Sequence, residues 1–201
     1  RKYPTYDAFA RATLSQIYTP QGLASAHRVE ARRLESGLLL NDGTGRFTFR
    51  PFPRIAQIAP TFGIVAEDFD ADGNPDLILA QNFYSPQPET GRMDGGLSQF
   101  LRGNGDGSFT TVSPDKSGVA LKGDARSLAA LDLNGDGRPD LALARNDDTP
   151  VFLLLDPSAL PEGHRHLRIH LQAPAGNPEA FGTRLTLSHA DGSTLALEPK
   201  A

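Results

Sequence analysis

Two stretches of this chain carry nearly the same text. DFDADGNPDLILA runs from Asp68 to Ala80, and DLNGDGRPDLALA runs from Asp132 to Ala144, 64 positions later. Each places oxygen-bearing side chains at alternate positions, reaches a Gly, and ends on an Asp before an apolar run. Alternate spacing lets three side-chain oxygens converge as the backbone curls, and Gly permits the sharp bend. In the first copy Asp68, Asp70 and Asp72 fill positions one, three and five, Asn74 position seven and Asp76 position nine. The second copy puts Asp132, Asn134, Asp136, Arg138 and Asp140 in the same slots. The change from Asn74 to Arg138 is expected if only the backbone carbonyl binds at that slot. Donors that are all oxygen select Ca²⁺ or Mg²⁺ over zinc or copper, and several flexible carboxylates favour Ca²⁺ over the stricter Mg²⁺ octahedron. Two calcium sites are therefore expected.

An EF-hand loop begins the same way but requires a bidentate Glu at its twelfth position and a helix on each side. Leu79 and Leu143 stand at that position, and the flanks are short apolar strands. The plain alternative is a pair of acidic solvent turns, because Asp, Asn and Gly are common turn residues. Two copies in register favour the ion.

A second feature recurs with almost the same period. LLLNDGTGRFTF (Leu38–Phe49) and FLRGNGDGSFTT (Phe100–Thr111) each read strand, Gly-rich turn, strand, and Phe109 follows Phe47 by 62 positions. Two independent features with nearly one period indicate a repeat of four-stranded units. Each unit runs from an inner strand (GIVAED, SLAALD) through the acidic loop to a second strand (DLILAQ, DLALAR), then a hairpin. Tyr84–Gly96 is an insertion between second and third strands. VFLLL (Val151–Leu155) is the second unit's third strand, and Leu38–Phe49 the outer hairpin of an earlier, incomplete unit.

Residues 1–33 use a different pattern. From Thr5, a plausible N-cap, Tyr6, Phe9, Ala10, Thr13, Leu14 and Ile17 fall near one helical face. Thr19-Pro20 starts a second helix, with Leu23, Ala26 and Leu34 expected to face inward. This segment is read as a helical lead-in packed through its stripe.

The net charge of −4 is local: without the seven aspartates of the two loops the chain would stand at +3. No basic patch with interleaved aromatics points to nucleic acid. Cysteine is absent, which excludes disulfides and thiolate metal sites. No run of about 18 apolar residues spans a membrane. The start at Arg1, without Met or signal peptide, is read as a processed or excised piece.

The two loops and their flanks resemble the FG-GAP, or VCBS, repeats of integrin-type β-propellers, over roughly residues 34–157. The resemblance implies a mainly β fold, with blades of four antiparallel strands and calcium in the turn between a blade's first two strands. Carried over by position, Asp68, Asp70, Asp72 and Asp76 with the Asn74 carbonyl would hold one ion. Asp132, Asn134, Asp136 and Asp140 with the Arg138 carbonyl would hold the other. In residues 164–201, HLRIHLQAPAGNPEAFGTRLTL resembles the start of the ASPIC/UnbV module of cartilage-acidic-protein-like chains, with His166 where that family has an aromatic.

Other signals point elsewhere. His164, His166 and His170 share a strand face with Arg168, which would repel a cation. GNGDG (Gly103–Gly107) precedes a strand rather than a helix, so it is a hairpin turn and not a phosphate loop. Ser98 in GLSQF lacks the second Gly and the strand-to-helix setting of a nucleophile elbow. Glu67 reads as a charged strand end.

Propellers close with about four to eight blades, and parts of three are traceable, so the remaining blades are expected in a longer chain or a partner. The expected role is a calcium-stabilised binding or adhesion scaffold for a protein or glycan, located extracellularly, at the cell surface or in the periplasm. The alternative is part of a secreted carbohydrate-active enzyme. Tyr84, Arg92 and Asp94 form the candidate ligand surface for either role, against a plain connecting loop.

Overall fold

Strands form where apolar and polar residues alternate between turns rich in Gly, Asn and Asp. The computed structural model describes residues 2–156, 158, 160, 167, 169–188, 192 and 194–198. The chain divides into two units, Arg1–Glu35 and Ser36–Ala201. No described helix is long and apolar enough to cross a membrane.

In the first unit, α1 (Tyr6–Ala10), α2 (Leu14–Ile17) and α3 (Pro20–Ser25) are single turns or little more. Thr5 and Thr19 cap α1 and α3, accepting from Ala8 N–H (3.2 Å) and Gly22 N–H (3.1 Å). The expected helix from Thr5 through Ile17 is broken. Thr13 begins a new cap, and the Gln16 side chain three residues on accepts the Thr13 N–H at 2.8 Å. The expected inward stripe is also corrected. No residue of the three helices is buried, and Leu14 and Leu34 are 65% and 87% exposed.

The second unit is built from antiparallel sheets. β1 (Gly37–Asn41) and β2 (Phe47–Pro51) form a hairpin. β3 (Thr61–Glu67), β4 (Asp76–Gln81), β5 (Gln99–Gly103) and β6 (Phe109–Val112) form a four-stranded meander, the first blade. β7 (Asp124–Leu131), β8 (Asp140–Asn146) and β9 (Val151–Leu153) repeat its first three strands, the second blade. β10 (Leu185–Ser188) and β11 (Thr194–Leu197) form a further hairpin. The fold is mainly β and partial-propeller-like. The strands expected in the two repeats occur, with VFLLL shortened to Val151–Leu153, whereas Leu167 and residues 169–171 of the expected C-terminal strand are not in a strand. Among the described residues β9 has no partner on its far edge.

Every residue of β4 is buried, because both of its faces are covered. On one face Leu77, Leu79 and Leu101 pack with Phe52 and Ala56, flanked by Leu38 of the β1–β2 hairpin. On the other, Ile78, Ala80, Val65 and Phe69 meet Val119, Leu121, Ala125, Leu141 and Leu143. Leu141 and Leu143 occupy the repeat positions of Leu77 and Leu79. The same face of each blade therefore packs against the preceding unit, and the acidic loops lie at equivalent ends of the blades.

Candidate metal centre

Each acidic loop joins the first two strands of a blade, β3 to β4 and β7 to β8, whose registers close at Glu67↔Asp76 and Leu131↔Asp140. Curling within the loop requires left-handed backbone. Gly73 and Gly137 supply it at φ 89° and 85°, while at another equivalent position Ala71 adopts φ 59° where the second loop has Gly135.

The leading carboxylates close the loops from inside. Asp68 accepts Asp72 N–H at 3.1 Å and Gly73 N–H at 3.0 Å; Asp132 accepts Gly135 N–H at 2.7 Å and Gly137 N–H at 2.9 Å. At position five, Asp72 accepts from Asn74 N–H (2.8 Å) and Asp136 from Arg138 N–H (3.0 Å). Asn74 and Arg138 are half-buried.

The position-nine aspartates are buried straps. Asp76 accepts from Phe69 N–H (3.0 Å) through one oxygen and from Gly103 N–H (2.9 Å) through the other. Asp140 does the same with Leu133 N–H and Leu155 N–H, both at 2.9 Å. Each therefore ties its own loop to the end of the blade's third strand. Gly103 is required for that approach, because a Cβ there would collide with the Pro75 carbonyl oxygen.

The two loops differ in how their acids gather. Asp68, Asp70 and Asp76 each place an oxygen within 4.8 Å of the others, a spacing that one cation can bridge. Asp72 stands outside that group and faces Arg102. The guanidinium of Arg102, on β5, lies 2.9 Å from Asp70 and 3.5 Å from Asp72. In the second loop, Asn134 spends its amide on Asp136, accepting its N–H at 2.9 Å and donating to its carboxylate at 3.0 Å. Among the described residues, no three acids of that loop converge as closely.

Electrostatics follow the geometry. Asp68 is exposed as a residue, but its carboxylate is turned into the loop. Desolvation there raises its pKa, and the charges of Asp72 and Asp70 push the same way. Burial raises that of Asp76 against the lowering effect of its two backbone N–H partners. Crowded carboxylates of this kind gain from a divalent counter-ion, and donors that are all oxygen match a hard cation.

Residues 90–143 match the family model of the FG-GAP-like repeat. Over that stretch the chain is similar to the FG-GAP-like repeat. The FG-GAP-like stretch takes in β5, β6, β7 and the second acidic loop with Asp132, Asn134, Asp136, Arg138 and Asp140, and ends within β8. The first loop lies outside it and shares the repeat's pattern through its own sequence and register. No curated protein and no solved structure matches the chain.

The remaining sequence candidates take ordinary places. Asp106 of GNGDG closes a turn by accepting from Ser108 N–H at 2.8 Å, and β6 follows. Ser98 is buried, with its hydroxyl accepting the Gln81 N–H at 3.4 Å. In the Tyr84–Gly96 segment, Arg92 lies over the Tyr84 ring at 4.8 Å, and Phe83 pairs with Met93. Asp94 is exposed, and Glu67 ends β3 half-buried. His164, His166 and Arg168 lie outside the described residues. Sequence reasoning missed Arg102; its place three residues after Gln99 at the start of β5 carried no mark of a contact with the loop.

Proposed function

We propose that this chain is a calcium-stabilised β-propeller scaffold that works outside the cytoplasm, where it binds a protein or glycan partner. The observation that carries the reading is the convergence of Asp68, Asp70 and Asp76 in the loop that joins the first two strands of a blade. Calcium there would be held by Asp68, Asp70 and Asp76, with Asp72 and the Asn74 carbonyl completing an oxygen shell. A second ion would be held by Asp132, Asn134, Asp136, Asp140 and the Arg138 carbonyl. The ion neutralises crowded carboxylates and pins the loop, so binding and folding are linked.

The FG-GAP-like repeat supports an extracellular, cell-surface or periplasmic address, as does the chemistry. Extracellular calcium modules bind at roughly 10⁻⁴–10⁻³ M, a range that a calcium-poor cytosol leaves empty. The reading of residues 164–201 as the start of an ASPIC/UnbV-like module is supported by the β10–β11 hairpin. The preceding turn adds to this, with Asn177 and Phe181 bonded to each other twice, at 2.9 and 3.1 Å.

Thermal unfolding in calcium and in chelator tests the proposal. At calcium of about 10 mM, each site with an affinity in that range stabilises the fold by about 1.4–2.7 kcal/mol. Identical midpoints in calcium, magnesium and chelator would withdraw the metal reading.

A further inference from the structure

Asparagine precedes glycine at two places, Asn104-Gly105 and Asn134-Gly135. Glycine has no side chain to shield its nitrogen, so that nitrogen can attack the side-chain amide carbon of the asparagine before it. Asn104 opens the turn between β5 and β6, and Asn134 lies in the second acidic loop, between β7 and β8. All four residues are exposed, so access does not separate the two pairs. Their hydrogen bonds do.

In the acidic loop the attacking nitrogen is tied down. Gly135 N–H donates to the Asp132 carboxylate at 2.7 Å, and losing that proton would set one negative charge beside another. Asp136 holds the Asn134 side chain at both ends, donating its N–H to Oδ1 at 2.9 Å and accepting from Nδ2 at 3.0 Å. In the turn, Gly105 N–H has no acceptor among the described residues. The carboxylate there, Asp106, accepts instead from the N–H and hydroxyl of Ser108, at 2.8 and 2.6 Å. The Thr110 hydroxyl donates to Asn104 Oδ1 at 3.1 Å, and Asn104 Nδ2 donates to Ser108 Oγ at 2.9 Å. A donor aimed at Oδ1 stabilises the negative charge that attack on the amide carbon places there.

We propose that Asn104 is a site of spontaneous deamidation in the folded protein and that Asn134 is protected from it. Gly105 nitrogen loses its proton to solvent and bonds to Asn104 Cγ. The Cγ–Nδ2 bond breaks, and the amide nitrogen takes a proton from solvent and leaves as ammonia. Water then adds to either carbonyl of the succinimide ring, giving aspartate or isoaspartate at position 104; nothing is oxidised or reduced. The isoaspartate product carries one extra carbon in the main chain between residues 104 and 105. Contacts with the first acidic loop flank that point. Gly103 N–H is strapped to Asp76 at 2.9 Å, and Gly105 lies so close to Asn74 that a Cβ would stand 2.6 Å from its Oδ1. The isoaspartate therefore loosens the first loop, with or without an ion in it.

The test incubates the whole chain in chelator at neutral pH and physiological temperature for weeks, folded and in urea. Tryptic peptides 103–116 and 127–145 each hold one of the two asparagines, and their masses report conversion of amide to acid. In the folded chain the first peptide should convert at least tenfold faster than the second, whereas in urea the two should convert within a few-fold of each other. Thr110→Val should slow conversion at Asn104 several-fold; if that variant fails to fold, the comparison within the parent chain decides. Similar rates at the two sites in the folded chain, or a faster rate at Asn134, overturns the proposal. So does an intact Asn104 in the folded chain once the unfolded chain has converted. Faster conversion in Thr110→Val overturns the role given to Thr110. The isoaspartate form, isolated by chromatography, should unfold at lower urea than fresh protein, and an equal midpoint overturns the effect on the first loop.

Discussion

The guanidinium of Arg102 stands 2.9 Å from the carboxylate of Asp70, bridging β5 to a loop 30 residues earlier in the chain. It reaches Asp72 as well, so a built-in cation already faces two of the carboxylates proposed for calcium. The second blade has Leu154 at the corresponding position. Replacement by that residue, Arg102→Leu, is expected to lower stability in chelator by less than about 1 kcal/mol, because the pair is half exposed. The same change should tighten calcium binding about two- to fivefold. Calorimetric titration of both proteins checks this, and equal affinities would show that Arg102 and the ion do not compete.

Asp76 and Asp140 carry a larger load than their neighbours. Each satisfies two backbone N–H groups from a buried position. Asp76→Ala leaves Phe69 and Gly103 N–H without their acceptor and should cost about 3 kcal/mol in chelator, where no ion contributes. Asp72→Ala, at an exposed position, should cost under about 1 kcal/mol in the same buffer. Urea midpoints at constant m-value separate the two effects.

Core packing makes a sharper contrast between equivalent blade faces. Leu79 and Leu143 are fully buried, whereas Phe152 is 59% exposed. Leu79→Ala and Leu143→Ala are expected to destabilise by about 2–5 kcal/mol. Phe152→Ser should stay within about 0.5 kcal/mol. Denaturant unfolding of the three variants measures the difference.

Acid should weaken the calcium effect. Desolvation, with Asp72 and Asp70 adding to it, raises the pKa of Asp68 above its unfolded value. Its ionised form therefore costs stability above the folded pKa, and the cost is lifted as pH falls through that value. Asp42 and Asp106 run the other way. Hydrogen bonds from Thr44 and Ser108 lower their pKa, so the stability they add is present above the unfolded value and lost as pH falls through the folded one. The difference between calcium and chelator midpoints removes the turn contribution and isolates the loop. That difference should shrink from about pH 7 to about pH 4 as protons displace the ion, and a constant difference would place the stabilising ion elsewhere.

What the sequence showed and what it hid divide along one physical line. The hairpins at Leu38–Phe49 and Phe100–Thr111 and the strands around both acidic loops were legible because turn chemistry and side-chain alternation are local. The paired function of Asp76 was not, since its second partner, Gly103, lies beyond an insertion. The apolar stripe of Tyr6, Phe9 and Leu14 showed amphipathic helix but said nothing of a covering surface, and Thr13 with Gln16 divided the helix. Arg102 was silent for the same reason as Gly103: only folding brings β5 beside the loop.

The carboxylate straps also bear on what the blades tolerate. The Asp76–Gly103 tie spans 27 positions and the Asp140–Leu155 tie spans 15, yet both end on the same kind of bond at about the same length. Whatever separates the second and third strands is thus decoupled from the geometry at the loop end. That junction is a natural insertion port, where peptide segments of quite different length can be exchanged, by descent or by grafting, without re-engineering the blade beneath them.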